Sequence, residues 1–92
     1  MLSQKARYAL KALFALAARP AGETVMIAEI AEEARVPRKF LEQILLEMKK
    51  RGIVHSHRGK HGGYALGRTA DKITFAEVIR VIELFQILHK RH

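Results

Sequence analysis

Apolar positions recur along this chain at helical spacing in four places, and in one place the period shortens to two. In the first stretch Ala6, Ala9, Leu10, Leu13, Phe14 and Ala17 fall on one face, which predicts a helix from an N-cap at Ser3 to about Ala18. Pro20 and Gly22 then break the pattern. A short second helix is expected over Met26–Ala34, with Ile27, Ile30, Ala31 and Ala34 inward and Glu29, Glu32 and Glu33 outward. Arg35 and Val36 leave room only for a tight connection. Pro37 suits the first turn of a third helix, where its missing N–H costs nothing. That helix should run to Arg51 and stop at Gly52, with Lys49, Lys50 and Arg51 complementing the dipole of its last turn.

After Gly52 the pattern changes. Ile53–His57 and Gly63–Leu66 read as two short strands, and Arg58–Gly62 as a basic, glycine-containing loop between them. Thr74 and Glu77 have the spacing of a capping box, and Ile73 and Val78 that of a hydrophobic staple. A last helix follows from Phe75 to about Lys90. The expected fold is mainly α: a single winged helix-turn-helix domain over residues 1–92, with a two-stranded β-wing and a C-terminal helix. The chain shows no internal repeat, linker or low-complexity segment.

At about 100° per residue, Phe40, Leu41, Ile44, Leu45 and Met48 share one arc of the third helix, the core side. The opposite arc holds Arg38, Lys39, Glu42, Gln43, Leu46, Lys49 and Lys50. Arg38 and Lys39 suit guanine, Gln43 suits adenine, and Glu42, which only accepts, suits the cytosine amino group. On an isolated helix the same arc would be a solvated face. Leu46 fits a thymine methyl, a packing contact with the wing or a partner chain, or an isolated exposed leucine. In the loop, Arg58, Lys60 and His61 supply charge, and Gly59, Gly62 and Gly63 allow close backbone approach. A narrow arginine-tipped loop suits the minor groove.

Charge reinforces that picture. The 92 residues carry a formal net charge of +8. Residues 1–22 hold four bases and no acid, residues 23–34 four acids and no base, and residues 35–72 ten bases and three acids. The excess falls on the first helix and on the helix-plus-wing segment, which suits a polyanion. There is no cysteine, so disulfides, thiolate metal sites and a cysteine nucleophile are excluded for these residues. No nucleophile–base–orienter set appears, so no enzyme is expected. Of the five histidines, His55 and His57 alternate along one strand that has no carboxylate partner, His61 is in the loop, and His89 and His92 lie three apart near the terminus; such sites would be exposed, so no metal or other cofactor is expected. No apolar run approaches membrane-spanning length, Lys11 interrupts the only segment resembling a signal peptide, and a cytoplasmic location without membrane association is expected.

The last helix is apolar over more than one stripe. Val78, Ile82, Phe85 and Leu88 are the surplus, and they are expected to form a homodimer interface, which would match paired DNA half-sites.

At these residues the chain resembles the bacterial winged-helix regulators of the IscR, NsrR and CymR type, sometimes written Rrf-two. The matching pieces are LSQKARYAL, IAEEARVPRKFLEQILLEMKKRGIV, SHRGKHGGYALGR and ITFAEVI, in the family's order and over nearly the whole chain. The resemblance implies that Glu42 and its neighbours read the major groove, that Arg58 enters the minor groove, and that Ser3, Lys5 and Tyr8 approach phosphate. Pro37, Arg38 and Lys39 stand where the family often has small polar residues, so base preference does not carry over. Members of the family are usually longer, by a dimerisation helix and often a three-cysteine segment that ligates an iron–sulfur cluster. This chain is expected to stop about where that segment would begin, as a naturally short or a truncated member. The expected activity is sequence-specific binding of double-stranded DNA as a transcriptional regulator, a repressor. The competing class is a winged helix that binds protein and not DNA, whose activity would survive removal of the wing charges.

Overall fold

The computed structural model describes residues 2–60 and 62–90, without the side chains of residues 85, 86, 89 and 90. Helices α1 (Gln4–Ala17), α2 (Ile27–Ala34) and α3 (Arg38–Lys50) come first. Strands β1 (Val54–His57) and β2 (Gly63–Leu66) follow, then a 3-10 turn at Ala70–Lys72, and finally α4 (Phe75–Lys90). The architecture is mainly α with a two-stranded antiparallel sheet, as the periodicity predicts.

Helix α1 sits between α2, α3 and α4. Ser3 caps it, its Oγ accepting from the Ala6 N–H at 3.1 Å. The buried positions are Ala6, Ala9, Ala12, Leu13 and Leu16, so the inward arc is rotated from the expected one. Ala17 is exposed, and Phe14 is 58% exposed. The three alanines carry only a methyl group, so the other helices can close on that face. Phe14 is left at the rim, its ring edge-on to Phe75 with centroids 6.1 Å apart.

The turn between α2 and α3 is made by a non-glycine residue. Arg35 adopts φ 56°, ψ 49°, and the N–H groups of Arg35 and Val36 both reach the Ala31 carbonyl. Val36 is buried and anchors the turn from below. Helix α3 starts at Arg38, one residue after Pro37, which occupies the N-cap. Leu41, Ile44, Leu45 and Met48 are its buried residues and Phe40 is half-buried, as the wheel predicts.

In the sheet Val54, His55, Ser56 and His57 pair with Leu66, Ala65, Tyr64 and Gly63. A third piece of backbone joins it that the sequence pattern does not show. Val25 and Tyr64 exchange both backbone hydrogen bonds at 2.8 Å, tying the α1–α2 loop to β2. Gly63 makes this approach possible: at φ 151° it takes a conformation that other residues resist, and a Cβ there would run into the Val25 carbonyl.

At α4, Thr74 Oγ1 accepts from the Glu77 N–H at 3.1 Å, which is half of the expected capping box. The Glu77 carboxylate is drawn instead to Arg68. Val78 and Ile82 are 0% and 1% exposed and belong to the core of their own domain. Their expected place in a dimer interface is therefore corrected: α4 packs on both α1 and α3, and those two side chains fill that contact. Among its described side chains α4 exposes Phe75 at its start, where the ring meets Phe14, and Leu84, Ile87 and Leu88 in its second half. The Phe85 side chain lies outside the described residues.

Candidate nucleic-acid interface

The outward arc of α3 is exposed as a unit: Arg38, Lys39, Glu42, Gln43, Leu46, Lys49 and Lys50 all reach solvent. Arg38 Nε stands 3.9 Å from Glu42 Oε2, one helical turn away. Both side chains are about three-fifths exposed, so this pair is weak and separable. Pro37, at the N-cap, is exposed beside them and forms no side-chain cap.

The N-terminal turn of α1 meets this face. Lys5 Nζ donates to Gln43 Oε1 at 3.1 Å. The same ammonium lies 6.0 Å from the centre of the Phe40 ring, and the Tyr8 ring is 6.0 Å from Phe40 on a tilted approach. Phe40 is thus the floor on which α1 and α3 assemble their polar groups. Lys5, Tyr8 and Gln43 are brought together by it; Ser3 stays at the cap of α1. Nothing in the sequence pattern links Lys5 with Gln43, because they are 38 positions apart and neither belongs to an apolar stripe.

The wing is built differently. Strands β1 and β2 project a loop in which Arg58, Gly59 and Lys60 are exposed, with Gly59 at φ 108°. His61 lies outside the described residues. His55 and His57 are exposed on one face of β1. Among the described residues no three His, Asp or Glu side chains converge as metal ligands. None of the described helices is long and apolar enough to cross a membrane.

Comparison with known proteins agrees with this geometry. The profile of the Rrf2 family, described as "Iron-dependent Transcriptional regulator", matches residues 2–91. An rrf2-like HTH-type transcriptional regulator of Rhodobacter capsulatus is 42% identical over 86 residues, covering 90% of this chain and 57% of that protein. The HTH-type transcriptional regulator IscR of Cereibacter sphaeroides is 37% identical over 84 residues, covering 89% and 54%. Among solved structures, CymR (YrzC), the global cysteine regulator of B. subtilis, superposes with a TM-score of 0.84 at 35% identity, over 90% of this chain and 64% of that one. IscR of T. potens superposes with a TM-score of 0.82 at 36% identity, over 88% and 59%. The chain spans a little over half the length of these curated relatives.

The family's description names iron. Iron–sulfur clusters are held mainly by cysteine thiolates, and these 92 residues contain none. The donor set present does not fit a cluster. The relatives and fold neighbours are transcriptional regulators, not enzymes. With its profile matched from residue 2 to residue 91 and its helix-turn-helix and wing superposing on those of IscR and CymR, this chain belongs to the Rrf2 family of winged-helix transcriptional regulators.

Proposed function

We propose that this chain is a sequence-specific reader of duplex DNA that acts as a transcriptional repressor in the cytoplasm, with α3 in the major groove and the Arg58 loop in the adjacent minor groove. The observation that carries the reading is the outward face of α3. It combines cationic donors (Arg38, Lys39), an acceptor (Glu42) and an amide (Gln43), all exposed and flanked by the basic wing. A helix fits the major groove, where donors pair with guanine and a carboxylate accepts from cytosine. Near phosphates Glu42 acts chiefly by rejecting wrong bases. Ser3, Lys5 and Tyr8 at the start of α1 approach one phosphate strand, where the helix dipole favours an anion. Arg58 enters the narrow groove, Gly59 lets the backbone follow, and Lys60 and His61 add charge to the loop for the flanking phosphates. Where the bound site overlaps a promoter, the domain blocks polymerase, and that is the repressing output.

A homodimer would double the contact and match paired half-sites. Its support is the exposed apolar row on α4. Leu84, Ile87 and Leu88 are 42%, 54% and 63% exposed at helical spacing. Leu88 remains from the expected interface; Leu84 and Ile87 replace Val78 and Ile82.

The test is to incubate the purified chain with a random duplex library and to sequence what it retains. One enriched motif is expected, with affinity falling steeply as salt rises because each neutralised phosphate releases counterions. Retention without any enriched sequence, unchanged between low and physiological salt, would refute the reading.

A further inference from the structure

The contact between Lys5 and Gln43 fixes something the base-reading face cannot fix alone. A glutamine amide has two ends, an accepting oxygen and a donating NH2. An ammonium only donates, so it selects the end that faces it. With Lys5 Nζ at 3.1 Å from Oε1, the oxygen is turned toward α1 and the Nε2 hydrogens are left for the groove. Lys5 is itself held in place, half-buried, with its ammonium over Phe40 and Tyr8 behind that ring. The Lys5 end of the contact thus lies on packed aromatics, while the Gln43 end is open to solvent, where a base edge can reach it.

We infer that Lys5 is a specificity-determining residue: by engaging the Gln43 carbonyl it makes Gln43 a donor-only reader that selects guanine over adenine. Adenine recognition by glutamine needs both amide ends, Nε2 to N7 and Oε1 from the N6 amino group. Guanine presents two acceptors side by side, N7 and O6, which Nε2 alone satisfies. Opposite adenine, the N6 amino group would meet an oxygen already facing a cation. The first helix thereby alters what the third helix reads, although its own groups lie against phosphate. This inference rests on the DNA-reading proposal above and adds to it the chemistry of one base position.

The experiment uses the full chain and the site that the library selection returns. Gln43→Ala first identifies the base pair that Gln43 reads. Wild type, Lys5→Met and Lys5→Arg are then compared on duplexes carrying guanine or adenine there. Methionine keeps an apolar stem on Phe40 and removes the donor; arginine keeps a donor-only cation. Wild type and Lys5→Arg should favour guanine. Lys5→Met should shift the preference toward adenine by roughly tenfold, the scale of one base contact. Uniform weakening of both duplexes by Lys5→Met, with the ratio unchanged, would reduce Lys5 to a phosphate contact and overturn the inference; so would a wild-type preference for adenine. A readout without DNA accompanies it: the Gln43 side-chain amide signals in NMR should move on Lys5→Met, and unmoved signals would show that the contact is not formed. A wild-type chain that retains no duplex at all, with those signals responding, would point instead to failure of the DNA-reading proposal, and the base-preference inference would fall with it.

Discussion

Arg68 and Glu77 form a two-point ion pair: Nη1 donates to Oε1 at 2.7 Å and Nη2 to Oε2 at 2.8 Å. The same guanidinium donates to the Arg51 carbonyl at 3.0 Å, just past the C-terminus of α3. One side chain at the exit of β2 thus ties the end of α3 to the first turn of α4. The forked geometry of arginine is what allows this, since a lysine offers a single point charge.

The hydrogen bonds from Arg68 hold the Glu77 carboxyl below its ordinary value. A carboxylate whose pKa is lowered on folding stabilises the native state above its unfolded pKa, and that contribution is lost as pH falls through the folded value. Acid unfolding of the wild type should therefore include a component that begins at the ordinary glutamate range and is completed below it. Glu77→Gln should remove that component, so its urea midpoint should change less with pH over this window. Equal pH profiles for the two proteins, followed by circular dichroism, would show that the pair contributes nothing to stability.

How much of this was legible beforehand differs between elements for physical reasons. The face of α3 reads directly from the sequence because five apolar residues lie on one side and the charges on the other. The face of α1 does not, because alanine fits a crowded interface and a solvated surface equally well; only the neighbouring helices decide that Ala12 goes in and Phe14 out. On α4 the surplus of apolar residues was legible, but not which of them the domain itself consumes. Val78 and Ile82 went to the core because α4 lies against two helices rather than one. Glu77 has the sequence spacing of a capping box, yet a guanidinium nine residues away outcompetes one backbone N–H for its carboxylate. The Lys5–Gln43 and Val25–Tyr64 contacts are long-range and leave no periodic trace.

Core and surface on α4 separate cleanly by mutation. Ile82→Ala should destabilise the fold by about 2–5 kcal/mol, the usual cost of such a truncation in a packed core. Leu88→Glu, at a position 63% exposed, should leave the thermal midpoint of a monomer nearly unchanged. If the outer row of α4 pairs two chains, Leu88→Glu should yield a folded monomer in sedimentation, because a carboxylate without a partner is costly in an apolar interface. A Leu88→Glu protein that sediments as wild type does would move any interface away from this row.

Gly63→Ala tests the junction of wing and body. The added methyl meets the Val25 carbonyl and the backbone is at φ 151°. Strain of this kind costs about 1–3 kcal/mol, and relief by local movement would break the paired hydrogen bonds between Val25 and Tyr64. Hydrogen exchange at those two amides should accelerate well beyond exchange in the core of α3. Unchanged protection at both would mean that the close approach is not required.

The wing and α3 should fail differently when DNA is bound. Arg58→Ala removes an exposed cation from the start of the wing loop, and minor-groove readout is largely one of width and potential. Its loss should weaken binding to most sequences, by about 1–3 kcal/mol if it contributes like a base contact. Glu42→Ala removes a negative charge that lies 3.9 Å from Arg38. Its removal takes a negative charge away from the phosphates, so non-specific affinity should rise while discrimination at one base pair relaxes. Titrations of both variants against the selected site and a scrambled duplex measure the two effects separately. If Glu42→Ala weakened both duplexes equally and left the preferred site intact, the carboxylate would have no role in reading bases, and selectivity would have to reside in Arg38, Lys39 and Gln43.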